Sequence, residues 1–225
     1  MGMNNIDAMR YVIDIETYPL ENCADFLDLS DIAAPSNYKD PEKIKAYCED
    51  EKAKRISKAA LDLDLCRAVA VGWMREDWNE PIIEVIRSER YEPEALCRFW
   101  RELDNRVTVG YNQVGFDLPI LLRRSLYLGV PAPSLNLDKY RSPHIDLQQR
   151  LSLNGTKPYR SLNWYCKRLG LDVPCDETSG KDIGQLVTEG NWDAVAAHCR
   201  ADVLKTRALA ERMGLLKQQP AEMVL

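Results

Sequence analysis

The chain has 225 residues, 45% hydrophobic and 29% charged, with a formal net charge of −5, which is one domain's length with enough apolar residues to bury a core. No apolar run approaches the roughly 18 residues of a membrane span, and Met1 to Met9 holds no basic segment followed by an apolar stretch, so neither a membrane helix nor a secretory signal is expected. Seven scattered cysteines form no C-x-x-C pair and read as reduced thiols of a cytoplasmic protein, which argues against a zinc site or a disulfide scaffold.

Arg10–Glu16 is a β-rich alternating run, so the spacing predicts a strand that ends in acids. Residues 20–40 are acidic and irregular, and Pro41–Leu61 has good helix formers with a proline in its first turn. Cys66–Met74 and Pro81–Arg87 read as two more strands around a polar turn. Glu92–Leu103 fits an amphipathic helix and Val107–Tyr111 a short buried strand. Phe116–Leu128 is apolar at helical spacing and stops at Gly129. His144–Leu147 is a fifth short strand, and Ser161–Leu169, Asp182–Glu189 and Ala194–Met213 are helical.

Three successive strands predict an antiparallel meander, and the helix before the fourth predicts a crossover to a parallel neighbour. The expected architecture is α/β, a mixed sheet with helices on both faces. Residues 1–225 form a single domain in this reading, with 20–65 as an insertion between the first two strands. Such an insertion is longer than an ordinary hairpin connection.

Charge is unevenly distributed. Residues 1–65 carry 8 basic and 14 acidic side chains, whereas 118–168 carry nine basic residues, Arg123 and Arg124 among them, against Asp138 and Asp146. A local basic face on an acidic chain suits phosphate tracking, although a solvated helical surface has the same composition.

Asp14 and Glu16 form a D-x-E at the end of the first strand, where residues i and i+2 share a face and can hold one cation. A second D-x-E, Asp40-Pro-Glu42, shows that the pattern alone is weak; the first differs by its seat in an apolar strand. Asp117 follows the buried strand at a helix start, a position that also suits capping. Asp202 lies within the last long helix with His198 four residues earlier, on the same helical face.

At these residues the chain resembles the four-carboxylate 3′–5′ exonucleases of the ribonuclease H-like superfamily, in particular the stand-alone group related to the proofreading domain of family B DNA polymerases. VIDIET (12–17) resembles the first exonuclease motif, YNQVGFDLP (111–119) the second and AAHCRADVLKT (196–206) the third. HIDLQ (144–148) and SLNWYCKRLGL (161–171) resemble later segments of the family.

The resemblance implies a ribonuclease H-like five-stranded sheet and two divalent ions, Mg²⁺ with Mn²⁺ as substitute. Asp14, Glu16 and Asp202 would bind one ion, and Asp14 with Asp117 the second. It also implies that Asn112 and Phe116 face the terminal nucleotide; Thr17 is expected among the substrate contacts, and the basic 118–168 segment, with Arg123 and Arg124, is expected to guide the strand. Phe116 is also a natural core residue beside Leu118 and Leu121, and Asp146 stays outside the metal set. The family has Tyr four residues before the last acid in one branch and His five before it in the other; here His198 stands four before Asp202. An imidazole there can still orient or deprotonate the attacking water.

The implied reaction releases 5′-mononucleotides from single-stranded DNA 3′ ends, alone or beside replication or repair proteins. The alternatives are an exoribonuclease, or a catalytically silent nucleic-acid-binding module of the same fold.

Overall fold

The computed structural model describes residues 9–174 and 178–217. Residues 1–8, on which the signal reading partly rests, and Cys175 lie outside them. The strands are β1 (Tyr11–Pro19), β2 (Cys66–Arg75), β3 (Ile82–Val85), β4 (Thr108–Gly110) and β5 (Ile145–Asp146). The helices are α1 (Pro41–Lys58), α2 (Glu92–Leu103), α3 (Asp117–Leu128), α4 (Leu147–Leu151), α5 (Leu162–Leu169), α6 (Ile183–Glu189) and α7 (Trp192–Arg212). The sheet runs β3-β2-β1-β4-β5, with β3, β2 and β1 antiparallel and β1, β4 and β5 parallel. That is the meander followed by a crossover that the element order predicts.

Strand parity divides the core. Tyr11, Ile13 and Ile15 pack with Ala95, Phe99 and Trp100 of α2 and Leu118 and Leu121 of α3. Val12 packs on the other side with Val203 and Leu209 of α7. Asp14 and Glu16 share the parity of Val12, so the period of two in β1 turns both acids toward α7. Gly72, opposite Asp14 in β2, lets that helix approach: a β-carbon there would lie 2.8 Å from Val203 Cγ2 and 2.9 Å from Cys199 Sγ.

Within the 20–65 insertion, α1 starts as the sequence predicts, with Pro41 in its first turn and the Asp40 carboxylate accepting from Glu42 N–H at 3.0 Å. The second D-x-E is thus capping chemistry. No residue of α1 is buried; a small cluster of Leu20, Cys23 and Ala59 ties the insertion down. Helix α4, absent from the sequence reading, is only five residues long and is capped by Asp146. The described cysteines are free thiols, and among the described residues no helix is long and apolar enough to cross a membrane.

Candidate active site

The acids come from three elements. Asp14 and Glu16 lie on β1, Asp202 on α7 and Asp117 at the first position of α3. The β4–α3 turn delivers Asp117 through a left-handed Asn112 (φ 64°), whose carbonyl accepts from Gly115 and Phe116 N–H. Asp117 is buried; its own amide and that of Ile15, which lies between Asp14 and Glu16, favour its charged form. Burial nevertheless pushes it up to about 7, with Asp146 and Asp202 adding repulsion. Asp14 is raised well above the ordinary carboxylate range, first by burial and then by Glu16, Asp202 and Asp117. Carboxylates that feel one another in a largely buried site repel unless cations join them.

His198 is buried on the inner face of α7, a placement the sequence leaves open. Its Nε2 lies 3.6 Å from Glu16 Oε1 and 4.0 Å from Asp202 Oδ2. Two neighbours escaped sequence reasoning. Lys205 is buried and its ammonium donates to Asp202 Oδ1 at 2.8 Å; it also counters the proton affinity of Asp14. Its one signal is its position three residues after Asp202, one helical turn along. Cys199 places Sγ with ligand oxygens of Asp14 and Glu16, all within 4.8 Å of one another. Burial and then Asp14 push its thiol up, so it stays protonated among the acids.

The donor set fits hard divalent cations: clustered carboxylate oxygens, with repulsion that a cation relieves. Asp146 is not part of that set. Its carboxylate accepts from Asn112, Val114 and Gln149 N–H at 3.1, 3.0 and 3.1 Å, holding the turn that aims Asp117. His144 is likewise structural, with Nδ1 bonded to Thr108 and burial lowering its proton affinity.

The residues named for substrate divide. Phe116 is half-buried against the α2–α3 core, beside the turn. The Thr17 hydroxyl donates to Ala60 C=O at 2.6 Å, tying β1 to the insertion, and lines a cavity of about 980 Å³ between the insertion and α6. Arg123 pairs with Asp64. Arg124 is a correction: it is buried, with Nε and Nη2 donating to Glu92 at 3.0 and 2.6 Å. A strand on the surface does not reach it, because its position on α3 faces α2 and the buried Glu92.

Comparison with known proteins identifies the family and the fold. Residues 58–222 match a family described as predicted 3′–5′ exonucleases related to the exonuclease domain of PolB. The matched range begins after β1 and does not include Asp14 and Glu16. An uncharacterised protein of Methanocaldococcus jannaschii is 30% identical over 171 residues, 67% of this chain and 92% of that protein. DNA polymerase 1 of Pyrococcus abyssi is 31% identical over 133 residues, 56% of this chain but 15% of the polymerase. The family B DNA polymerase structure from Pyrobaculum calidifontis superposes with a TM-score of 0.52 at 19% identity, covering 92% of this chain and 24% of that one; it shares the fold. The chain thus spans about 15% of the length of the Pyrococcus abyssi polymerase. Its family match and its fold together place it: the chain belongs to the family of predicted 3′–5′ exonucleases related to the exonuclease domain of PolB.

Proposed function

We propose that this chain is a metal-dependent nuclease that hydrolyses the terminal phosphodiester of single-stranded DNA 3′ ends and releases 5′-mononucleotides. One observation supports the reading: acids distant in sequence, Asp14, Glu16, Asp117 and Asp202, lie close enough that Glu16, Asp202 and Asp117 raise the proton affinity of Asp14, and Asp202 that of Asp117. Asp14, Glu16 and Asp202 would hold one divalent cation, and Asp14 with Asp117 a second; Mg²⁺, or Mn²⁺ in its place, suits oxygen donors. When bound, the pair supplies water activation and offsets charge on the phosphate and the leaving 3′ oxygen.

The protein's own groups do the rest. His198 Nε2, between Glu16 and Asp202, orients the attacking water and accepts its proton. Lys205 holds one oxygen of Asp202 and leaves the other toward His198. Asp146 fixes the turn so that Asn112 and Phe116 border the acids and seat the terminal nucleotide, whose ring or sugar Phe116 contacts.

A gel assay on a 5′-labelled single-stranded oligodeoxynucleotide and a matched oligoribonucleotide tests this, with Mg²⁺ or Mn²⁺, with chelator, and with Asp14→Ala. The expected result is a DNA ladder shortening from the 3′ end, abolished by chelator and by the substitution. Faster shortening of RNA would reassign the sugar, and no shortening beyond the Asp14→Ala background would make the chain a binding module.

A further inference from the structure

The segment 139–168 has a composition that the hydrolytic centre does not use. Residues 139–168 carry seven cations, all exposed, against one acid, the buried Asp146, on a chain whose net charge is −5. Arg123 and Arg124 have carboxylate partners. Among the described residues, none of these seven cations is within ion-pair distance of a carboxylate. Tyr140, Tyr159 and Trp164 stand between them, 75%, 56% and 45% exposed.

Contacts join several of these groups to one another and to the turn that precedes Asp117. The Arg160 guanidinium lies 5.8 Å from the Trp164 ring centre, and the Lys139 ammonium 5.8 Å from that of Tyr140. Lys139 Nζ is 3.3 Å from where a side chain on Gly155 would begin, which joins the 139–140 segment to the 155–160 loop. The Tyr111 hydroxyl donates to the Arg160 carbonyl, and Tyr111 directly precedes Asn112 in the turn that aims Asp117. Exposed rings among unpaired cations suit a polyanion with flat bases: each base has a face to stack, and each phosphate meets a positive charge.

We propose that this face is a stacking track for the single strand 5′ of its terminal nucleotide. Tyr140, Tyr159 and Trp164 are its ring platforms, and Lys139, Lys157 and Arg160 are its phosphate contacts. The proposal rests on the exonuclease reading of the acids and extends it from the scissile end to the rest of the strand. It also moves strand guidance from α3, where Arg123 and Arg124 are engaged, to the segment before β5, the loop before α5 and the first turn of α5.

The test is fluorescence anisotropy with labelled oligothymidylates of two, four, eight and twelve nucleotides, on the wild type, Trp164→Ala, Tyr159→Ala and Lys157→Gln/Arg160→Gln, each checked for folding by thermal melting. Wild-type affinity rises at least tenfold from the dimer to the octamer. Each ring substitution removes about five- to a hundredfold of the octamer's affinity. The double charge substitution lowers the slope of log affinity against log salt by about one to two. No length dependence in the wild type, or an unchanged one in well-folded variants, overturns the track. So does a polyglutamate that displaces the dodecamer at equal charge concentration, which would give the face to an acidic protein.

Hydrolysis of thymidine 5′-(p-nitrophenyl phosphate), one nucleotide in size, reports on the acids separately. Cleavage of the ester without length-dependent binding sinks the track alone. Length-dependent binding without cleavage of the ester or of any oligonucleotide sinks the exonuclease reading alone.

Discussion

Asp117 and Asp146 are both buried aspartates around one turn, and their surroundings give them different work. Asp146 is ringed by backbone amides and is consumed in holding the chain. Asp117 has two amides and a field of other acids, and is held near neutral pH. A buried acid facing other acids has a use for a cation; one facing amides has none. His198 belongs to the first environment. In His198→Ala the maximal rate drops about hundredfold, read from kcat at saturating Mg²⁺. A loss under about tenfold would remove the general-base role.

At the scale of elements, α7 carries two site residues and packs across β1, β2 and β3. Gly72 sets the distance of that contact. Gly72→Ala places a methyl 2.8–2.9 Å from Val203, Cys199 and Ile83, overpacking that costs about 1–3 kcal/mol. The melting temperature falls by about 2–10 °C, and activity falls further because Asp202 and His198 move with the helix. Gly72→Ala/Val203→Ala regains most of both; if the double variant is no better than the single, the contact does not govern the site.

What the sequence discloses follows from the range of the force involved. β1 is readable because alternation is local, and Asp14 and Glu16 inherit their face from it. The inner face of α7 is not readable, because Val195 and Val203 mark an apolar stripe that leaves His198 ambiguous. Arg124 reads as surface charge until Glu92, 32 residues earlier, is brought beside it. Asp146 gains its meaning from Asn112 and Val114, which the fold brings beside it.

The molecule as a whole stores electrostatic strain in one place. Asp117 titrates near neutrality in the folded chain and near 4 when unfolded. The unfolded state therefore releases this proton first, and the metal-free fold loses stability as the pH rises from about 4 through 7. A divalent cation offsets this, so Mg²⁺ at a hundred times its Kd raises the melting temperature by about 5–10 °C at pH 8. The gain is smaller at pH 6, where protons compete for the same oxygens. Equal gains at both pH values, read by calorimetry, would place the cation elsewhere. The insertion stands apart from this balance. Helix α1 is 18 residues long and buries none of them, so melting it exposes almost nothing the core needs. The chain thus has two stabilities: a cooperative one for the sheet with its packed helices, and a shallow local one for α1, whose amides trade hydrogen with water long before the clustered acids come apart.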